Sequence, residues 1–302
     1  MTIPAPVVSI GLPVYNGEAQ LALSLESLLA QTFQDFEIVI SDNHSTDATE
    51  RICREFVARD PRVHYVRSEK NRGVAWNYNR AFELSTGRYF KWASSNDVHG
   101  ATFLGRCLEV LESNGDAALV YTKTRLIDES GAVIRDYEDN LDLPSRDAPR
   151  RFREYLDRVG LCNALYGLMR PEVLRRTGRL GDFPGSDLVF LGELSLYGTF
   201  VEVPEFLFQR RFVPESALRT SSLANWQEFF DPLGRGKIVM RTWRHQYEYL
   251  QADLRSPLSI VDKMRVAGTI ARDSVAVRDQ LFRELAGAVK QQSRSVLARK
   301  RD

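Results

Sequence analysis

Cysteine is scarce in this chain, and the shortage closes off several classes of protein at once. Cys53, Cys107 and Cys162 are the whole complement among 302 residues. They stand far apart and are odd in number, which gives neither a disulfide framework nor a metal knuckle and points to a reducing compartment. Each is read as a packing residue, since a free thiol behaves as a small apolar group. Histidine is almost as thin. His44, His64, His99 and His245 show no ligand spacing, which argues against zinc. An excess of one charge is missing too: 41 Lys and Arg stand against 40 Asp and Glu, a formal net charge of +1. No global field therefore draws nucleic acid or a membrane. No apolar run nears the ~18 residues of a membrane span, and Pro4 and Pro6 interrupt the start, where a signal peptide would lie. Repeats, low-complexity tracts, a Gly-x-Ser-x-Gly pattern and a P-loop are also absent. What remains is an ordinary soluble composition, 43% hydrophobic and 27% charged, expected in the cytoplasm.

What is present is a regular alternation. Val7 to Tyr15 is a β-rich apolar run closed by Asn16-Gly17. Leu21, Leu25, Leu28 and Leu29 then recur at helical spacing. Phe36 to Ser41 reads as a second buried strand, followed by Asp47 with Glu50 as a helix start. "VHYVRS", "VAWNYNRAFELS", "YFKWAS", "TFLGRCLEVLES" and "AALVYTKTRLID" continue the series as strand, helix, strand, helix, strand. Such a pattern from residue 7 to about 128 predicts parallel βαβ units with helices on both faces. Polar residues gather at three strand ends: Tyr15-Asn16, Asp42-Asn43 and Ser94 to Asp97. At one edge of a parallel sheet they would face one crevice, where ligands bind. After 128 the order breaks into a turn at Asp128 to Gly131, a polar connector and helices. A strand through Pro204 follows, which that proline confines to an edge or a bulge.

"VSIGLPVYNG" at 8 to 17, "DNHSTD" at 42 to 47 and "NRGVAWN" at 71 to 77, in this order and spacing, resemble nucleotide-sugar glycosyltransferases of the GT-A fold. The nearest group is the inverting glycosyltransferase family 2, and the resemblance runs over about residues 6 to 215. It implies an α/β domain at 1–221, with a donor half to about 128 and an acceptor half from 129, and a C-terminal helical extension at 222–302. It places Pro13, Tyr15 and Asn16 beside the nucleotide's base and ribose, Asp42 on the base edge, and Asn71, Gly73 and Asn77 along the diphosphate. An aromatic ring stacks on a base, a carboxylate accepts from its N–H, and glycine lets the backbone come close. The bland roles open to these residues are turn positions for Asn16 and Asn71 and a loop or capping carboxylate for Asp42.

The family usually closes its fourth strand with Asp-x-Asp. Here the matching residues are Ser94-Ser95-Asn96, then Asp97. By the resemblance Ser95 and Asn96 would meet the donor, and Asn96 and Asp97 would hold Mg²⁺ or Mn²⁺. Hard cations prefer carboxylates, so this set is depleted, and Asp97 is alternatively a loop or N-cap carboxylate. The resemblance also implies a base for the acceptor hydroxyl near a helix start in the second half. Asp187 fits that place, with a dipole-stabilised helix-start carboxylate as the competing role. Glu193 would lie six residues along, on another face. Arg210 and Arg211 fall where the family often keeps a cation near the donor phosphates, with solvated surface charge as the competing role.

These readings imply transfer of a sugar from a nucleoside-diphosphate sugar to a growing glycan or its lipid carrier. Two rivals are a non-catalytic sugar-nucleotide-binding protein and a nucleotidyltransferase. The second lacks its usual Gly-rich basic loop, since the first strand leads into "LPVYNGEA". Beyond residue 222 the chain is expected to be helical and amphipathic, with Trp226, Phe229, Phe230, Trp243, Tyr247 and Leu250. Its end is basic at Lys290, Arg294, Arg299, Lys300 and Arg301. That extension would contact a second subunit, touch a membrane surface peripherally, or pack on the core.

Overall fold

The structure, a computed structural model, describes residues 5–212 and 240–299, with side chains described as far as residue 289. Trp226, Phe229, Phe230, Lys300 and Arg301 lie outside the described residues, as do the side chains of Lys290, Arg294 and Arg299.

Strand β1 (Val8–Val14) has all seven residues buried, because it is central in the sheet and covered on both faces. β2 (Phe36–Asp42) and β3 (Val63–Arg67) lie parallel on one side of it, and β4 (Tyr89–Trp92) lies parallel on the other. The expected alternation supplies the helices α1 (Leu21–Leu29), α2 (Thr49–Arg59), α3 (Val74–Glu83) and α4 (Phe103–Ser113). Side chains alternate in register with the strands. Ile10, Leu12, Ile38, Ile40 and Tyr89 join Leu25, Leu28, Cys53, Phe103 and Cys107 in one core. Phe90 and Trp92 point the other way, into a core with Ala75 and Phe82 of α3. All three cysteines are buried packing residues.

Beyond β4 the sheet is mixed rather than simply parallel. The two-residue β8 (Leu168–Met169) runs antiparallel between β4 and the long β6 (Ala117–Ile127). β6 forms a hairpin with β7 (Val133–Tyr137) through the foreseen turn, where Asp128 Oδ1 accepts from the Ser130 and Ala132 amides at 2.9 Å each. On its other edge β6 pairs in parallel with β9 (Thr199–Arg211). Val203 pairs with Thr122 and Phe206 with Lys123, so Pro204 and Glu205 are bulged out of the ladder. A proline with no N–H to donate sits in the bulge as expected. The last residues of β9 pair antiparallel with β5 (Val98–His99) and so close behind the Ser94–Asp97 loop.

The second half adds α5 (Ala148–Arg158), a 3₁₀ turn at Asn163–Tyr166, the short α6 (Pro171–Leu174) and α7 (Ser186–Ser195). The described C-terminal helices are α8 (Arg241–Arg255), α9 (Ile260–Ala276) and α10 (Arg278–Arg299). Phe152, Val189, Tyr249, Ala252, Val266 and Ile270 form one apolar cluster, so α8 and α9 share a core with α5 and α7. α8 buries Thr242, Gln246, Tyr249 and Ala252 and turns the next stripe outward. Trp243, Tyr247, Leu250 and Leu254 are exposed along it. Among the described residues no helix is long and apolar enough to cross a membrane.

Buried beneath α4 is a basic pair. Lys91 is fully buried, its Nζ lies 2.7 Å from His99 Nε2 and 4.4 Å from the centre of the Phe103 ring. Burial draws the amine down to about 7 and holds the imidazole well below its ordinary value.

Candidate functional site

The crevice opens where β1 and β4 part company. The Ala93 amide donates to Gly11 O at 2.9 Å, and β4 has already ended at Trp92. Two residues on, the same side of β1 faces open space, so Pro13 sits there with no hydrogen bond lost. The resulting cleft has a volume of about 610 Å³. Pro13, Tyr15, Asn16, Asn71, Ser95 and Asn96 line it as the sequence implied, with Asn77 in its floor. Asn43 and Ser94, from the polar strand ends, join them, as do Gln20 and Tyr78, which the sequence had not marked.

Its walls are held by the two loops at the strand ends. Asn16 adopts φ 49°, takes the Thr46 amide on its side-chain oxygen at 2.8 Å and donates its own amide to Ser45 Oγ at 2.9 Å. Asn43 donates its amide to Val14 O at 2.9 Å and its side-chain NH₂ to Asn71 Oδ1 at 2.7 Å, while the Arg72 amide donates back at 2.9 Å. Gly73 has φ 89°, a left-handed value that glycine adopts without strain, and it starts α3 beside the cleft. Asn77 is committed to the scaffold: it accepts from Ser41 Oγ at 2.7 Å and donates to Val14 O at 3.1 Å. Tyr15, 46% exposed, stands at the rim.

Two acidic residues lie elsewhere than the sequence suggested. Asp42 is fully buried and does not line the cleft. Its carboxylate accepts from the Ser45 amide at 2.8 Å and the Tyr65 hydroxyl at 2.6 Å, with Arg67 Nε at 3.6 Å. Burial and then Asp42 push the Tyr65 hydroxyl up. The residue that faces the cleft is its neighbour Asn43. Asp42→Ala is accordingly expected to destabilise the fold by about 2–4 kcal/mol, since two buried donors lose their acceptor. Urea denaturation checks this, and a midpoint equal to the parent's would refute the structural role.

Asp97 is likewise turned inward. It is 3% exposed, and its Oδ1 accepts from the Arg211 amide at 2.8 Å. Burial raises its carboxyl to about 6, against the pull of that amide and of the Arg210 and Arg211 charges. Arg211 donates from Nε to Asn96 O at 3.0 Å and from Nη1 to Glu129 O at 2.7 Å. Arg210 donates from Nη1 to Leu161 O at 2.5 Å and to Asn163 Oδ1 at 2.6 Å. Both guanidiniums therefore brace carbonyl oxygens around the loop.

A divalent cation is implied by the fold family at Ser94–Asp97. The side chains lining the cleft there offer hydroxyls and carboxamides, and the loop's carboxylate faces the interior. Among the described residues no group of three or more His, Cys, Asp or Glu is placed to hold a metal. These residues do not fit a resident hard cation.

Asp187 lies in the first turn of α7, after Gly185 in a left-handed conformation at φ 81°. It does not line the cleft itself. Its Oδ1 accepts from the Leu188 amide at 3.0 Å, and burial and then the Asp187 charge push the Cys162 thiol up. Tyr78, which lines the cleft, shares a 3.1 Å hydroxyl contact with Tyr166. The charges of both Asp97 and Asp187 act on this pair of phenols, which are pushed up first by burial. Glu193, by contrast, is 1% exposed and bound to Arg255 Nε at 3.0 Å and the Gly178 amide at 2.9 Å.

Comparison with known proteins gives a consistent picture. A family model described as "Glycosyl transferase family 2" matches residues 9–177. Chondroitin synthase of Escherichia coli is 38% identical over 129 residues, 43% of this chain and 19% of that protein. The glycosyltransferase MJ1057 of Methanocaldococcus jannaschii is 29% identical over 135 residues, 44% of this chain and 47% of that one. The matched segments thus span less than half of either relative's length. Among solved structures, S. aureus TarS 1-349 in complex with UDP-GlcNAc has a TM-score of 0.64 at 14% identity, covering 94% of this chain and 81% of that one. The mannosyltransferase PcManGT from Pyrobaculum calidifontis, in complex with GDP-Man and Mn²⁺, has a TM-score of 0.59 at 16% identity, covering 98% and 80%. At these identities the likeness to the structures is one of fold.

Proposed function

The chain belongs to glycosyltransferase family 2 and has its GT-A fold, and from that premise we propose that it moves a sugar from a nucleoside-diphosphate sugar to an acceptor hydroxyl with inversion. The observation that carries the reading is the neutral cleft at the β1/β4 split, rimmed by Tyr15 and lined by Tyr78, whose hydroxyl meets that of Tyr166, with Asp187 outside the lining in the first turn of α7. In this reading Tyr15 stacks on the base, Asn16 and Asn43 face the base and ribose, and Asn71 with the start of α3 meets the diphosphate. Asp187 takes the proton of the acceptor hydroxyl. The freed oxygen pair attacks the anomeric carbon from the face opposite the donor's leaving oxygen. The bond to the diphosphate breaks, and its electrons leave with the nucleotide. Tyr78 and Tyr166 share one hydrogen bond, in which one hydroxyl donates to the other, so one phenolic O–H is left to donate to a sugar hydroxyl or to the departing oxygen.

Support for a glycan acceptor comes from the similarity to chondroitin synthase; a lipid-linked glycan in bacterial surface-polysaccharide synthesis fits the same site. The exposed α8 stripe is the surface through which a second subunit or a membrane would be met. One observation favours a second reading: a cleft without a carboxylate suits a protein that binds sugar nucleotides and does not turn them over.

A panel of uridine, guanosine, thymidine and cytidine diphosphate-sugars, read first by thermal shift and then by nucleotide release, tests both. A ligand that raises the melting temperature and is hydrolysed or transferred supports the transferase. Binding without any turnover leaves the binding protein. In the same assay Tyr15→Ala is expected to weaken the bound nucleotide about tenfold, the worth of one base–aromatic stack. Its melting temperature without ligand stays near the parent's, because the ring is half exposed. Unchanged affinity would remove the base from the rim.

A further inference from the structure

We propose that the donor's diphosphate is held here without a divalent cation, an inference that rests on the donor-site reading above. In a cleft lined by carboxylates, a bound diphosphate meets like charges, and a metal ion is needed to offset both. In this cleft the corresponding positions are Ser94, Ser95 and Asn96, and the cleft's lining residues include no Asp or Glu. The loop's carboxylate, Asp97, is spent on the Arg211 amide at 2.8 Å. The repulsion that makes a cation necessary is therefore missing, and so are the ligands that would hold one.

Positive charge is supplied in another form. Arg211 is 7% exposed and reaches Asn96 O, at the back of the cleft loop. Among the described residues its guanidinium and that of Arg210 bond to carbonyl oxygens and to the Asn163 side chain, and to no carboxylate. Neither arginine lines the cleft, and both charges also act on Asp97, so what reaches the cleft is the field of guanidiniums set behind its loop. The start of α3 adds its amide ends beside Asn71 and Val74, both of which line the cleft. A guanidinium held in place by carbonyls offers a fixed positive charge to a leaving diphosphate, and it cannot be removed by a chelator.

The test is isothermal calorimetry of the intact protein with UDP, GDP, dTDP and CDP, each in excess EDTA and in saturating Mn²⁺. The nucleotide that binds is expected to do so with affinities agreeing within about threefold in the two conditions. Asn96→Asp and, separately, Ser95→Asp put a carboxylate back into the lining. Each is expected to weaken binding in EDTA about tenfold or more and to regain affinity when Mn²⁺ is added. Having two variants guards against one that misfolds, and melting temperatures identify it. Binding of the parent protein only with Mn²⁺ would overturn the inference while leaving the donor site standing. Binding of no nucleotide under either condition would overturn both. Folded variants indifferent to Mn²⁺ would overturn the claim that the missing carboxylate is the cause.

Discussion

Asp187→Asn is expected to lower sugar transfer by about 10²–10⁴-fold while nucleotide affinity stays as in the parent. The substitution is nearly isosteric, and its side-chain oxygen still accepts from the Leu188 amide, which bonds to Oδ1 at 3.0 Å. Gly185 and the first turn of α7 therefore keep their geometry, and the melting temperature is not expected to fall. What disappears is the proton acceptor. Because Asp187 lies outside the cleft lining, nucleotide contacts are untouched. A calorimetric titration with nucleotide beside a transfer assay separates the two effects. Asp187→Asn with near-parent turnover would take the base role away from this residue. Glu193→Gln is the control for a purely structural acid in the same helix. It breaks a buried pair with Arg255 and lowers stability instead of selectively removing turnover.

The second large effect concerns the pair under α4. Lys91→Met/His99→Phe is expected to stabilise the protein by a few kcal/mol at pH 6 and by little at pH 10. The native amine titrates at about 7, against an ordinary 10.5. Between those values the unfolded chain carries a proton that the folded chain does not. Stability due to Lys91 therefore rises with pH across that window. Below pH 7 the amine is charged in both states, and the native protein bears the full cost of burying it. Methionine fills similar space with no charge, so its advantage is greatest on the acid side and fades toward pH 10. Both residues are changed because Lys91 Nζ and His99 Nε2 share a hydrogen bond, while His99 Nδ1 has no partner among the described residues. A phenyl ring there packs against Phe103 and Phe208, which already lie 5.0 and 5.2 Å from the imidazole centre. Urea unfolding from pH 6 to 10 measures the effect, and a gain that does not vary with pH would refute it. Asp97 and Asp139, which burial places near 6, are partly titrated at the acid end of that range in parent and variant alike.

The first four strands were legible because each is a buried apolar run between helices whose stripes recur at 3.6 residues. β7 was not: Val133 and Ile134 are 58% and 49% exposed, so it carries no inward-outward alternation. β5 and β8 are two residues long, and they exist because longer neighbours offer them a free edge. Residues from the three strand ends do line one cleft, whereas Asp42 and Asp97 do not, and for Asp42 a parity argument would have shown it. Ile38 and Ile40 face the core beneath α2, so Asp42 continues on that face, whereas Ser41 bonds to Asn77 on the α3 side. Asn43 follows Ser41 into the cleft. That alternation was available in the sequence. The inward turn of Asp97 was not, because it depends on β9 arriving behind the loop from more than a hundred residues away. The α8 stripe reads as amphipathic in sequence, and its outward rotation is set by Tyr249 and Ala252 docking on α5 and α7.

The buried amine also alters how the folded molecule behaves in an electric field. The composition assigns an isoelectric point near 7.7, counting every lysine as an ordinary base. Burial draws Lys91 well below its ordinary value, so the native protein focuses at a lower pH than its own unfolded chain. That moves the point of zero charge toward neutrality, where long-range repulsion between molecules vanishes. Colloidal stability is then weakest near neutral pH. At that pH little opposes contact between molecules that each expose Trp243, Tyr247, Leu250 and Leu254.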